Sequence, residues 1–156
     1  MNANKKLTAG SVIAIVAAVL TIASYIVYSV NLSSAGYFQG AAVNQMALTW
    51  AAVAALAVGV ALSMVKVKGA AGKVVDLVIG ALQIAAPVLL AYCLISLVAG
   101  RVEGLGFIFF SNADVAKEVQ TAANMSSANM AITSMVCYAV SMLAAIVSSF
   151  VDLKKD

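Results

Sequence analysis

The residues of this chain best placed to do chemistry are Gln83 and Pro87, four positions apart inside a long apolar run, 74–99. Proline has no amide hydrogen, so in a helix the carbonyl four residues earlier loses its donor, and that carbonyl belongs to Gln83. A free carbonyl and a carboxamide would then lie together. Because lipid offers neither group a partner, this face is expected to contact protein or water.

Ser141 and Tyr138 are the expected neighbours of Gln83, because they lie at similar depth in the last apolar run. We expect the amide of Gln83 to hydrogen-bond one of them, since an unpaired amide in hydrocarbon is costly. Two interpretations remain open for these residues and Pro87. They form either an interhelical hydrogen bond that holds the fold together, or a solute-binding site beside a broken helix, as in transporters.

Other site chemistries find little support in the composition. The chain has no histidine, which removes the commonest metal ligand and the commonest general base. Cys93 and Cys137 both lie within apolar runs, away from any partner spacing typical of metal or redox sites. We therefore expect no metal, no cofactor and no enzymatic activity. The net charge of +3 comes from scattered lysines and does not indicate a nucleic-acid partner.

Composition indicates the environment in which these residues work. Of 156 residues, 64% are hydrophobic and only 10% are charged, whereas soluble domains carry about a quarter charged residues. The sequence predicts an all-α integral membrane protein, folded as one membrane domain (1–156) around a four-helix transmembrane bundle. Four apolar runs are long enough to cross a bilayer, at about 7–30, 46–65, 74–99 and 129–151. A cleaved signal peptide is the alternative for the first run, which is longer than a typical signal h-region.

The distribution of basic residues predicts the orientation. Seven of the nine lysines and arginines lie near the two termini or in the turn 66–73, at Lys5, Lys6, Lys66, Lys68, Lys73, Lys154 and Lys155. Only Arg101 and Lys117 fall in the other two loops, 31–45 and 100–128. The positive-inside rule therefore predicts a multi-pass protein of the cell membrane with both termini cytoplasmic and these two loops outside.

The second outer loop, 100–128, contains glycines at 100, 104 and 106 and the aromatic run 107–110. Ser111 and Asp114 form a helix-start signal, which predicts a short helix at about 112–121. Aromatic residues concentrate in or near the parts of the chain that are expected in the outer half of the membrane. We expect the two outer loops to pack over the end of the bundle, with a simple interfacial aromatic belt as the alternative.

Small residues mark the helix faces expected to pack closely. The second apolar run carries Ala51, Ala55, Gly59 and Ser63, and the fourth carries Ser134, Cys137, Ser141, Ala145 and Ser148. If the seam of the fourth run faces outward, it predicts an oligomer interface.

These patterns favour a non-enzymatic membrane protein that either self-assembles or serves as an accessory subunit of a membrane complex. Its expected partners are the lipid bilayer and other copies of the chain or other membrane subunits. The alternative is a small oligomeric transporter or channel with a polar site near Gln83 and Pro87.

Overall fold

The computed structural model describes residues 7–43, 46–65 and 67–153. These residues form five helices and no strand: α1 (Ala9–Ser33), α2 (Met46–Ser63), α3 (Ala70–Phe110), α4 (Ala113–Val119) and α5 (Ala122–Ser149). The helices α1, α3 and α5 are long and apolar enough to cross a membrane, whereas the apolar helix at α2 is shorter. Lysines 5, 6, 66, 154 and 155 lie outside the described residues, so the orientation stays a prediction.

The four longer helices contact one another in a ring. Helix α1 packs against α2 and α5, and α3 packs against the same two helices. We call the end that holds α4 and the segment 34–43 the cap end. The opposite end, which holds the connection between α2 and α3 at 64–69, is the turn end.

The outward surface of these helices is apolar, and hydroxyl side chains are buried. Large hydrophobic side chains are exposed along α1, α3 and α5, among them Val19, Leu77, Ile84, Ile95 and Leu143. The buried polar side chains include Ser11, Thr21, Ser24, Thr49, Ser134 and Ser141. This arrangement reverses that of a soluble domain and, together with the three long apolar helices, is typical of a membrane-embedded protein.

Hydroxyl contacts join α1 to the α5 region at three levels. At the turn end, the hydroxyls of Thr8 and Ser11 donate to the carbonyl of Leu153, at 2.9 and 3.2 Å. In the middle, the hydroxyls of Ser24 and Ser141 are 2.9 Å apart. Near the cap end, the carboxamide of Asn31 and the hydroxyl of Ser127 are 3.1 Å apart. The seam predicted in the fourth run therefore packs within the chain, where Ser134, Ser141, Ala145 and Ser148 are buried.

The prediction of a loop over 100–128 was wrong in its extent. Helix α3 continues to Phe110 and α5 begins at Ala122, which leaves 111–121 between them. The three glycines that suggested a loop are helical, and other parts of the chain closely approach two of them, Gly100 and Gly104. A Cβ atom on Gly104 would lie 2.6 Å from the ring of Tyr37, and one on Gly100 would lie 2.5 Å from the side chain of Val43. Tertiary packing thus outweighs the low helix propensity of glycine here.

The short helix predicted in this region is present as α4. The N-cap of α4 is Asn112, whose side-chain oxygen accepts a hydrogen bond from the main-chain amide of Val115 at 3.0 Å. The sequence signal had indicated Ser111 as the N-cap instead. At the cap end Phe38, Ile108, Ala128 and Ala131 form a small buried cluster. The segment after α1 therefore packs over the end of the helices, as expected of the first outer loop.

Candidate functional site

The structure separates the four residues predicted to form a polar site. Gln83 lies beside the end of α5 at the turn end, and Pro87 follows it about one turn later in α3. Ser141 contacts Ser24 on α1, and Tyr138 contacts Thr49 on α2. Gln83, Ser141 and Tyr138 therefore contact three different helices, which are α5, α1 and α2, respectively.

The carboxamide of Gln83 caps the end of α5. Its Nε2 atom donates to the carbonyl of Ser148 at 2.9 Å and to that of Val151 at 3.3 Å. The last carbonyls of a helix have no helical donor, so they are strong acceptors for a side-chain amide. The prediction that Gln83 bonds Ser141 or Tyr138 was therefore wrong, since both of those hydroxyls find partners elsewhere.

The carbonyl left without its usual donor by Pro87 is also satisfied. The hydroxyl of Ser149 donates to the carbonyl of Gln83 at 2.6 Å, and it contacts its own helix through the carbonyl of Ala145 at 3.0 Å. Side-chain and main-chain groups of Gln83 thus both bond the last turn of α5. This double connection joins α3 to α5 at the point where α3 carries its proline.

The depth of Gln83 differs from the prediction because the helices do not end at one level. Gln83 is 13 residues after the start of α3 at Ala70, yet it contacts the last turn of α5. The first turns of α3 therefore extend about 19 Å past the end of α5. Leu77, in this projecting part, is 75% exposed. Aligning the ends of the predicted spans placed Gln83 about two turns too close to the cap end.

Tyr138 belongs to a second polar cluster, in the middle of the ring of helices. Its hydroxyl is 2.9 Å from the hydroxyl of Thr49, and the same threonine oxygen is 3.7 Å from the sulfur of Cys93. All three side chains are buried, and Cys93 and Cys137 do not form a disulfide with each other. The cluster ties α2, α3 and α5 together.

Ser141 forms the middle one of the three polar contacts between α1 and the α5 region. Its hydroxyl donates to the carbonyl of Cys137 at 2.8 Å, one turn earlier in α5, and lies beside Ser24. Cys137 itself is half-buried, whereas its neighbour Tyr138 takes the fully buried position. A solute-binding role for these residues stays a prediction.

The small-residue ladder predicted on α2 is divided between two faces. Ala55 and Gly59 are buried, Ser63 is half-buried and Ala51 is exposed. Steps of four residues advance by about 400° on a helix, so each member turns about 40° from the last and the ladder leaves the packed face.

The outward face of α2 consists largely of alanine. Its exposed positions include five alanines, at 47, 51, 54, 57 and 61, and two larger residues, Trp50 and Val58. The corresponding faces of α1, α3 and α5 carry larger side chains, such as Val19, Ile84 and Leu143. Small side chains on an outward face permit the backbone of another helix to approach closely.

The sequence did not lead us to expect the buried position of Arg101, which was assigned to the outer loop 100–128. Its side chain is 1% exposed, and its guanidinium carbon lies 4.6 Å from the ring centre of Phe38 and 6.0 Å from that of Tyr28. The signal was available in the spacing, since Arg101 continues the buried face of α3 formed by Leu90, Cys93, Leu97, Gly104 and Ile108. The Nε and Nη2 atoms of Arg101 have no hydrogen-bond acceptor among the described residues.

Within the described residues there is no group of three or more acidic or cysteine side chains that could hold a metal ion. Comparison of the chain with protein-family models, with curated proteins and with solved structures found no match. The function is therefore inferred from the geometry of this chain alone.

Proposed function

We propose that this chain is a non-enzymatic membrane protein that crosses the bilayer four times and assembles with other copies of itself through the outward face of α2. In this arrangement α1, α2, α3 and α5 form a transmembrane bundle, with both termini and the turn end in the cytoplasm of the cell. The cap end faces outside.

The observation that carries the proposal is the outward face of α2, where alanine occupies the exposed positions 47, 51, 54, 57 and 61 beside Trp50 and Val58. Lipid chains pack well against large aliphatic side chains, so small residues give little advantage on a lipid-facing surface. Against a second helix, small residues let the two backbones approach and increase van der Waals contact. The interior supports an assembly role over a solute path, because the hydroxyls of Ser24, Thr49 and Tyr138 bond partners within the chain.

Cysteine cross-linking in native membranes tests the assembly. The background variant replaces both native thiols, Cys93→Ala and Cys137→Ala, and one new cysteine is then introduced. We expect Ala54→Cys on the outward face of α2 to give a covalent dimer on mild oxidation, because symmetric copies bring this position close to itself.

Leu143→Cys is the matched control, because Leu143 is 56% exposed on α5 at a similar depth. Thr49 and Tyr138 contact each other, and Ala54 and Leu143 each follow five residues later in helices that run in the same direction. The control is expected to stay monomeric. Equal cross-linking at both positions, or none at Ala54, would contradict the proposed interface.

The orientation has its own test, since it rests on the placement of lysines. Lys68→Cys lies at the turn end and Lys117→Cys lies on α4, and neither position is buried. In intact cells, a maleimide that does not cross membranes should label the residue at 117 and should reach the residue at 68 only after permeabilisation. Labelling at 68 in intact cells would reverse the proposed threading.

A small oligomeric transporter or channel is the competing proposal, and it requires the polar groups near Gln83 and Pro87 to face a path. The bonds from Gln83 to the end of α5 favour the assembly role, since they leave this amide directed at protein. Solute flux into vesicles containing wild-type protein or Gln83→Leu separates the two proposals. A flux that the substitution abolishes, in a variant that still assembles, would favour transport.

A further inference from the structure

Arg101 is a buried cation at the cap end, and its surroundings leave one edge of it unsatisfied. Phe38 and Tyr28 lie near its guanidinium, with the Phe38 ring centre at 4.6 Å. Aromatic rings attract the face of a guanidinium, but they do not accept the hydrogen bonds of its edge. The Nε and Nη2 atoms are fully enclosed and have no acceptor among the described residues.

No described carboxylate neutralises this charge. Glu103, two residues along α3, is exposed on another face of the helix, and Asp114 pairs with Lys117 at 3.6 Å. A buried guanidinium without a counter-ion is strongly unfavourable, because it loses the solvation of water and gains only part of it back from aromatic rings.

The geometry of the unsatisfied edge indicates what completes it. Nε and Nη2 of an arginine together form a planar fork of two parallel N–H donors, which matches two oxygens of one oxyanion. We propose that Arg101 is the anchor of a binding site for a phosphate oxyanion at the cap end of the bundle, supplied either by the headgroup of an anionic phospholipid or by phosphate in solution. This inference goes beyond the proposed assembly role and does not depend on it.

In the proposed site the phosphate enters past the segment 34–43, which covers the arginine and has no regular secondary structure. This segment carries Phe38 over the guanidinium, and it is fastened to α1 at Val43. The hydroxyl of Tyr28 donates to the carbonyl of Val43 at 3.0 Å and accepts from its amide at 2.7 Å. A phosphate reaches the fork when these contacts release, so Tyr28→Phe, which keeps the ring but removes both bonds, is expected to bind phosphate more tightly.

The test uses the full chain in uncharged detergent and follows the midpoint of thermal unfolding. In separate arms the protein receives phosphatidylglycerol, an uncharged diacylglycerol of the same chain length, or inorganic phosphate. We expect the wild-type midpoint to rise with a phosphate-bearing probe and not with the uncharged lipid, because a ligand that binds only the folded state stabilises it. A rise with phosphatidylglycerol alone identifies the headgroup as the source, and an equal rise with inorganic phosphate identifies the free anion.

Three variants complete the experiment. Arg101→Met should lose the phosphate-dependent rise and should have a higher midpoint than wild type without ligand, a result that a purely structural arginine would not give. Arg101→Lys, which keeps the charge but lacks the fork, should bind about tenfold more weakly. Lys117→Met, which removes the exposed cation of α4, should respond like wild type.

Two results would overturn the proposal: no rise in wild type with either phosphate probe, or a full rise retained in Arg101→Met. If the methionine variant does not fold, Arg101→Lys replaces it, and phosphate binding as tight as that of wild type in the lysine variant would overturn the proposal instead.

Discussion

The bond from Ser149 to Gln83 should be worth more than an ordinary side-chain bond to a helix, and the reason is Pro87. The hydroxyl of Ser149 lies 2.6 Å from a carbonyl that cannot receive a hydrogen bond from residue 87. Removing the hydroxyl leaves that acceptor without a donor in an apolar environment. An unsatisfied buried acceptor costs about 1–3 kcal/mol, and interhelical bonds in membranes average about 0.6 kcal/mol with a maximum near 1.7. We therefore expect Ser149→Ala to lower the free energy of unfolding by about 1–2 kcal/mol.

A double-mutant cycle with Pro87→Ala isolates this effect. Alanine at 87 restores an amide that can donate to the carbonyl of Gln83, so the same Ser149→Ala change should then cost only about 0.5 kcal/mol. The coupling energy is expected to be about 1 kcal/mol. The assay is reversible unfolding in mixed micelles with increasing dodecyl sulfate, followed by helical circular dichroism.

Thr133→Ala is the control, because Thr133 donates to a carbonyl of its own helix, that of Asn129, which keeps its normal helical donor. Its cost should stay below about 0.5 kcal/mol in either background. The same cost for Ser149→Ala with and without Pro87 would refute the reasoning, since it would mean that the hydroxyl does not replace the missing amide.

Three further expectations concern close contacts, and each is measured by the same unfolding assay. Gly10→Ala should destabilise the fold by about 1–3 kcal/mol, because its Cβ would lie 2.5 Å from a main-chain oxygen after α5, whereas Gly80→Ala, with nothing within 4 Å, should be neutral or slightly stabilising. Gly104→Ala should cost about 1–2 kcal/mol by displacing the aromatic rings over α3, and Gly106→Ala, which meets open space, should not. Tyr138→Phe removes the hydroxyl bond to α2 and should cost about 1 kcal/mol; no loss in that variant would show that the cluster does not hold α2 in place.

Much of the helical framework followed from the sequence, because apolar run length and helix-start signals are local. The three long apolar helices and α4 lie where such local signals indicated helices. The need of the Gln83 carbonyl for a new donor could also be predicted locally, because Pro87 alone removes its usual one. The identity of that donor was not local, because it depends on how far α3 projects past α5.

The misjudged features share a physical cause: they depend on which segments meet. Gly100 and Gly104 resemble loop residues in the sequence, but they are the sites where Val43 and the ring of Tyr37 approach the helix. Arg101 was assigned to an outer loop for the same reason, since a helix that continued past residue 99 was not expected. Once α3 is extended, the spacing of its buried face places this arginine inside.

The shortness of α2 has a consequence for the surrounding bilayer. Its 18 residues cover about 27 Å, slightly less than the hydrocarbon thickness of about 30 Å, so lipids beside it must shorten or disorder their acyl chains in the proposed four-crossing arrangement. Copies that meet along α2 remove those lipids from the contact and relieve the mismatch. Membrane thickness would then regulate association, with longer acyl chains favouring the paired form.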